Sequence, residues 1–331
     1  MESHTPKRDI RLDLLKVLAC FAVVGLHVFS LEYNSKLIGF IHYLFGYAVP
    51  VFFMVNGYLI LNKEKLNYSY VFRKIKNILV VVCIWNFLIY IPKALVKHQF
   101  ENPVLMILGS LVQKGFMWQF WFLGAMILTY LLAPLIHKAI NKSRWGYPVI
   151  LSILLVFCIV LTILHAVTGK SLVEEYFQTF RIWTWLLFFV LGGFLKRILP
   201  LIEKKLDIRY HILISSLLFV AFPIYQVLIG GAINTNDYYI DPGFILDVFC
   251  FVTCVMRLNY NEKSTAVINT LAPLGMGCDI IHPFLVYASN WFFEYKYLFL
   301  PFITFPIICV IALGATWILY RFKITRILVS L

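Results

Sequence analysis

Apolar stretches of about twenty residues alternate with short polar or basic segments along the whole chain. About twenty residues of α-helix cross a hydrocarbon core roughly 30 Å thick, whereas a membrane barrel shows alternating segments of about ten residues. The pattern therefore predicts an all-α, polytopic membrane protein of about ten transmembrane helices. The predicted spans are Ile10–Leu31, Ile38–Leu61, Ile75–Val96, Trp118–His137, Tyr147–Val167, Arg181–Leu199, His211–Gly230, Phe244–Met256, Val267–Phe293 and Tyr297–Tyr320.

Two of these spans carry signs of irregular geometry. The eighth is short, and the ninth contains Pro273, Gly275, Gly277 and Pro283, which predict a kink or a break. Broken helices are tolerated in a membrane only against protein or a wet cavity. An interfacial or re-entrant helix is also expected over Asn102–Gly115. The whole chain, residues 1–331, is expected to form a single membrane-embedded domain.

The composition excludes an ordinary soluble domain. Hydrophobic residues make up 61% of the chain and charged residues only 14%, against about 25% charged residues in soluble domains. With the N-terminus placed in the cytoplasm, 21 of the 29 lysines and arginines fall in predicted cytoplasmic segments and seven in outer ones. This bias predicts that both termini are cytoplasmic. It also explains the formal charge of +13 without nucleic acid as a partner.

The seven cysteines fall in predicted helices and form no C-x-x-C pair. Buried free cysteine behaves as a small apolar residue. We therefore expect no disulfide framework and no metal site.

The first predicted helix carries three ionisable residues, Asp13, Lys16 and His27. At about 100° per residue, Lys16 and His27 differ by about 20° around the helix axis, and Asp13 lies about 60° from Lys16. All three share one face, which is expected to point toward protein or a cavity. Two structural alternatives stay open. Asp13 and Lys16 form an ion pair near the cytoplasmic end, or His27 is a neutral buried ring bonded to a neighbouring helix.

Five short motifs occur in order along the chain. They are a Lys, ten residues and a His at Lys16 and His27, VFFMVNGY at Val51–Tyr58, RKIK at Arg73–Lys76, WFL at Trp121–Leu123 and IHP at Ile281–Pro283. Together they resemble the acyltransferase 3 family of integral membrane acyltransferases. Asn56 stands where that family usually has Ser. Lys76 stands where it has a second Arg, which keeps the charge but loses bidentate phosphate geometry.

The resemblance implies an enzyme, an O-acetyltransferase in the minimal membrane form without an added extracytoplasmic domain. Such an enzyme moves an acetyl group from cytosolic acetyl-CoA to a hydroxyl of a cell-surface glycan or a lipid-linked sugar. His27 is implied as the catalytic residue, either as general base or as acyl carrier. Lys16 and Asp13 are expected to assist it from the same helix face.

The remaining site residues follow from the later motifs. Those expected to contact the acyl-CoA donor are Arg73, Lys74, Lys76 and Trp121, although positive-inside sorting explains the basic ones equally well. His282 and Asp279 lie three apart on the ninth helix and are expected to bind the acceptor, with a structural pair as the alternative. The chain is expected to be a multi-pass protein of a cell membrane, in contact with lipid. A multi-helix transporter or exporter is the competing function, since carriers also contain broken helices and buried ionisable residues.

Overall fold

A computed structural model describes residues 8–97, 100–169, 175–230, 238–293 and 297–329. Within these ranges the chain is helical and contains no β-strand. The helices, numbered in chain order, are α1 Ile10–Val28, α2 Lys36–Leu44, α3 Ala48–Leu61, α4 Tyr68–Lys97, α5 Pro103–Leu111, α6 Trp121–Lys142, α7 Gly146–Thr168, α8 Ile182–Lys205, α9 Ile208–Tyr225, α10 Pro242–Val255, α11 Glu262–Leu271, α12 Gly275–Phe293 and α13 Leu300–Arg321.

The all-α, polytopic architecture predicted from the apolar pattern is confirmed. In the part of the chain that the structure describes, nine helical segments are long and apolar enough to cross a membrane, and α10 is a shorter apolar helix. The 14 residues of α10 rise only about 21 Å, which is less than the roughly 30 Å hydrocarbon core. The eighth span is therefore short, as predicted. The cytoplasmic location of both termini stays a prediction.

Two predicted spans each consist of two helices. The second span, predicted as one run over Ile38–Leu61, contains α2 and α3 with a turn between them. The ninth, over Val267–Phe293, contains α11, a 3-10 turn at Ala272–Leu274 and α12. Pro273 lies in that turn, where it lacks the N–H that a continuous helix needs. The kink or break predicted for this span is confirmed as a break at Pro273, whereas Pro283 lies inside α12.

The helix expected within Asn102–Gly115 is α5. Asn102 caps its first turn, because the side-chain oxygen accepts a hydrogen bond from the Val104 N–H at 2.9 Å. Such a cap satisfies backbone donors that have no partner inside the helix. The nine residues of α5 are too few to span a membrane, and they pack against α4 and α6.

The central helix of the bundle is α1. No residue between Ile10 and Ser30 is exposed, and α1 contacts α2, α3, α10, α11, α12 and α13. Its first turn is held by Asp9, whose carboxylate accepts hydrogen bonds from the Arg11 N–H at 3.0 Å and the Arg11 guanidinium at 2.8 Å. The bonds from Arg11 hold the pKa of Asp9 below its usual value. Arg11 also donates to the Met256 carbonyl at 3.2 Å, which ties the start of α1 to the end of α10.

The closest helix crossing is between α3 and α8. A side chain on Gly57 would overlap the backbone carbonyl of Phe189, and one on Gly192 would overlap the backbone carbonyl of Met54. Helices approach this closely in membranes where small residues form the contact. Beside the crossing, the rings of Phe53 and Trp185 stack with centroids 5.1 Å apart. The crossing thus fixes α3, which packs directly against α1.

Gly57→Ala and Gly192→Ala are each expected to destabilise the protein, because the added methyl groups meet backbone atoms that cannot rotate away. The loss should be about 3 kcal/mol or more, which lowers the thermal unfolding midpoint of the detergent-solubilised protein by roughly 5 °C or more. Gly314→Ala is the matched control, since nothing lies within 4 Å of a side chain at that position of α13. Equal midpoints for all three variants would contradict the close crossing.

Candidate active site

Three aromatic rings meet at the end of α1. His27 lies in the last turn of α1, and its ring centroid is 5.2 Å from that of His282 on α12. The Trp118 ring lies nearly perpendicular to the same imidazole, with the two centroids 5.3 Å apart. Trp118 begins the 3-10 turn Trp118–Phe120 that leads into α6. Residues far apart in sequence therefore enclose His27.

The His27 ring has no hydrogen-bond partner among the described residues, although it lies between two rings from other elements. It is only partly buried, while the helix that carries it has no exposed residue. A buried histidine with a purely structural role forms a hydrogen bond to a neighbouring helix. His27 forms no such bond to a described residue. Its nitrogens are therefore free to bind a reacting group that reaches this end of the bundle.

His282 is held in a defined tautomer by the backbone. Its Nδ1 lies 3.1 Å from the Cys278 carbonyl oxygen, and because a carbonyl only accepts, Nδ1 carries the hydrogen. Nε2 is then a lone-pair acceptor, and it is buried without a partner among the described residues. The backbone, rather than the Asp279 carboxylate, thus orients this ring. An unpaired buried acceptor is costly, which indicates a ligand position beside His27.

A third histidine, His42, lies near the same place. Its Nδ1 donates to the Phe29 carbonyl at 3.0 Å, so its Nε2 is also a lone-pair acceptor. His42 is close enough to His27 to interact with it electrostatically. No motif in the sequence marks His42, because the residue reaches His27 only through the packing of α2 onto the end of α1.

Asp279 lies one turn before His282 on α12. It is beside the thiol of Cys20 on α1, and its Oδ1 is buried without a partner in the described chain. Cys20 in turn donates to the Gly275 carbonyl at 3.5 Å. Because Cys20 lies two turns before His27, the carboxylate faces the middle of α1. His282, by contrast, faces its end.

The other predicted residues of α1 lie far from the three rings. Lys16 Nζ is 3.3 Å from the Asp13 carboxylate, which Arg8 also contacts. The ion pair considered as a structural alternative is thus present. Along the axis, Lys16 is about 16 Å and Asp13 about 21 Å from His27. Neither side chain can touch a group that reacts at His27.

The cations at the start of α4 separate into two sets. Lys74 is half-buried, and it is close enough to Lys16 and Lys63 to interact with both electrostatically. Arg73 and Lys76 are exposed on the opposite side of the helix. One face of α4 packs inward through Val71, Ile75 and Ile78, and Lys74 borders that face. Of the three cations predicted to contact the donor, Lys74 alone borders the packed face of α4.

The family of the chain follows from its sequence over nearly the whole length. The family model of acyltransferase 3, which is described as an acyltransferase domain, matches residues 9–321. This chain belongs to the acyltransferase 3 family.

Curated relatives of this acyltransferase 3 protein match over shorter stretches. An amino-acid racemase of Enterococcus faecalis is 27% identical over 138 residues, which are 39% of this chain and 20% of that protein. A serine/alanine racemase of Enterococcus gallinarum is 31% identical over 147 residues, which are 40% and 21%. The chain thus spans about a fifth of the length of these relatives, and their racemase names say nothing of its own reaction. No solved structure matches it.

Among the acyltransferase 3 motifs, the WFL segment packs in a way that its sequence does not reveal. Trp121 is buried with its ring centroid 5.3 Å from that of Trp185, so it belongs to the core. Trp118, one turn earlier, is the residue that contacts His27. The sequence offers only its spacing from Trp121, since a tryptophan near a helix end is also typical of a membrane interface.

Asn56, which replaces the usual serine of the family, joins two helices. Its Nδ2 donates to the Phe52 carbonyl at 2.9 Å, and its Oδ1 accepts from the Tyr130 hydroxyl at 2.6 Å. The position therefore links α3 to α6. In the described part of the chain, no group of three or more His, Cys, Asp or Glu residues is arranged to hold a metal ion.

Tyr130→Phe is expected to destabilise the protein by about 1–3 kcal/mol, because the buried Asn56 oxygen loses its donor. Thermal unfolding in detergent measures the loss. Tyr147→Phe is the matched control, since the buried Tyr147 hydroxyl has no partner among the described residues and its removal should be neutral. A larger loss for Tyr147→Phe than for Tyr130→Phe would refute this assignment.

Proposed function

We propose that this family member is a membrane O-acetyltransferase that moves an acetyl group from cytosolic acetyl-CoA to a hydroxyl of a cell-envelope sugar or lipid-linked glycan. The observation that carries the proposal is the free His27 imidazole, set between Trp118 and His282 at the end of α1. Family membership supports the acyl-transfer reaction. The geometry supports the choice of His27 as the residue that performs it.

The donor enters, in this proposal, from the other end of α1. Lys16, Lys63 and Lys74 form a group of cations there, and ammonium groups are suitable partners for the phosphates of CoA. About 16 Å separates Lys16 from His27 along the axis, a distance that an extended pantetheine arm bridges. The thioester then lies beside His27, while the nucleotide stays at the basic end.

Neutral His27 acts on the acceptor in one of two ways. As a general base, it takes the proton from the sugar hydroxyl while the oxygen attacks the thioester carbon. The C–S bond breaks, and the proton passes to the departing thiolate. As an acyl carrier, a His27 nitrogen attacks the thioester carbon first, and the C–S bond breaks to release the CoA thiolate. The sugar hydroxyl then attacks the acyl-imidazole, the acyl–nitrogen bond breaks to restore His27, and the hydroxyl proton passes to the thiolate. In both routes the Nε2 lone pair of His282 accepts a hydrogen bond from the acceptor and orients it.

A rapid acid quench separates the two routes. The purified protein is mixed with radiolabelled acetyl-CoA in the absence of acceptor, and its peptides are analysed. Label on the His27 peptide that hydroxylamine removes indicates the carrier route. Unlabelled protein that still turns over when acceptor is added indicates the base route.

His27→Ala is expected to lower acetyl transfer by at least about 100-fold, because removal of a positioned base or nucleophile costs that much. Release of CoA thiol by purified protein with envelope extract as acceptor measures the rate. His165→Ala on α7 is the matched control, since this histidine lies in the last turn of another helix. Transfer retained in His27→Ala, or solute flux into liposomes without use of acetyl-CoA, would reject the enzyme and favour a transporter.

Lys74→Gln is expected to raise KM for acetyl-CoA about tenfold with kcat unchanged, since one charged contact to phosphate is worth about 1.4 kcal/mol. Arg73→Gln and Lys76→Gln are matched controls on the same helix, and each should change KM by less than about twofold, because both residues are exposed on the other side. A larger effect at either control than at Lys74 would contradict donor entry along the inner face of α4.

A further inference from the structure

Two cavities adjoin between α4 and α5. The first has a volume of about 340 Å³, and its walls, which include Phe87 and Ile107, are almost wholly apolar. The second has a volume of about 350 Å³ and extends to Lys114, in the segment that follows α5. Asn86 and Met106 line both cavities, so the two form one groove, which we call the α4–α5 groove. Each cavity is in the size range of ligand sites.

The groove opens on the lipid-facing surface of the bundle. Phe87 and Leu88 of α4 line the first cavity and Leu105 of α5 lines the second, and all three side chains are exposed. Most of the apolar stretch of the span that contains α4 is not covered by protein. In a membrane these side chains contact hydrocarbon. The first cavity therefore suits a lipid chain that enters sideways from the bilayer.

Asn86 supplies a buried hydrogen-bond acceptor to the groove. Its amide group donates to the Val82 carbonyl at 2.9 Å and to the Ser110 hydroxyl at 3.0 Å. That hydroxyl donates in turn to the Ile107 carbonyl at 2.8 Å, so its hydrogen is not available to the Asn86 oxygen. The oxygen has no partner among the described residues, although Asn86 is only 4% exposed. An unpaired acceptor in such a place is costly, which indicates a ligand that donates a hydrogen bond.

The charge of the second cavity favours an anion. Glu101 lines this cavity, but its carboxylate is paired with Lys93 at 3.0 Å. Lys114 lies over the Phe177 ring, 5.0 Å from its centroid, and no carboxylate of the described residues is within 4 Å of its ammonium group. The cavity thus has one cation in excess, and basic pockets between membrane helices bind anionic lipid headgroups.

These groups together select the chemistry of the headgroup. Asn86 requires a hydrogen-bond donor, and Lys114 favours a net negative charge. A phosphocholine headgroup has no donor and adds a quaternary ammonium beside the lysine. A phosphoglycerol headgroup has hydroxyl donors and a net negative charge, so it satisfies both residues.

We infer that the α4–α5 groove binds an anionic glycerophospholipid whose headgroup carries hydroxyls, as phosphatidylglycerol does. One acyl chain occupies the first cavity, the phosphate contacts Lys114, and a headgroup hydroxyl donates to Asn86. The lipid is a bound ligand and not a reactant, so the site goes beyond the proposed transfer reaction. It joins α4 to the segment after α5.

Photolabelling in nanodiscs tests the site without relying on turnover. The full chain is placed in phosphatidylcholine nanodiscs that contain a trace of phosphatidylglycerol with a photoactivatable acyl chain, and labelled peptides are mapped. Label is expected mainly on residues 83–90 and 103–107, and excess unlabelled phosphatidylglycerol should remove it while added phosphatidylcholine should not. Removal by both lipids, or equal label on α7, would show an ordinary lipid shell and overturn the inference.

Charge variants test the headgroup contact. Lys114→Gln should lower the labelling about fivefold, which is the factor that one lysine near an anionic lipid contributes. Lys114→Arg keeps the charge and should label normally. Lys36→Gln is the matched control, since Lys36 is also exposed but lies on α2. Full labelling of Lys114→Gln would contradict the assigned phosphate contact.

A volume variant tests the position of the acyl chain. Met106→Trp fills the junction of the two cavities and should lower the labelling by a similar factor. Val156→Trp, at an exposed position of α7, is the matched control and should label normally. Phosphatidylglycerol should also raise the thermal unfolding midpoint of the unaltered protein in detergent, because a ligand that binds only the folded state stabilises it. Absence of that rise, or full labelling of Met106→Trp, would refute the site.

Discussion

The structure depends on keeping the charged and polar groups of α1 out of lipid. An ionisable side chain at the centre of a bilayer costs at least about 2.5 kcal/mol, and more without a partner or water. The helix that carries Asp13, Lys16 and His27 is accordingly surrounded by six other helices and has no exposed residue between Ile10 and Ser30. More peripheral helices such as α7 face lipid over most of their surface. The helix that carries these three ionisable residues is thus the one that the other helices surround.

The close contact of α3 with α8 supplies rigidity on one side of that helix. Gly57 and Gly192 let the two backbones touch, and the rings of Phe53, Trp185 and Trp121 pack beside them. Trp121 in turn fixes the start of α6, one turn after Trp118. The ring that contacts His27 is therefore held by a core that itself performs no chemistry.

The two ends of α1 differ in character, and the proposed reaction uses both. Lysines gather at its start, and three histidines gather at its end. Nothing in the described chain bonds the His27 nitrogens, and the His282 Nε2 is buried without a partner. In the proposed reaction, the donor extends along α1 from these lysines to His27.

The sequence alone determined the architecture. An apolar run of membrane length must form a helix, because only a helix satisfies all its backbone hydrogen bonds within one segment in lipid. It also indicated an irregular ninth span, and its ordered motifs are the basis for proposing His27 as the reacting residue. Side-chain direction and packing decided the rest. Helical periodicity placed Asp13, Lys16 and His27 on one face, but it could not show that Asp13 and Lys16 form an ion pair with each other. Trp118 and His42 reach His27 only through helix packing. Such contacts join residues distant in sequence, and no local pattern records them.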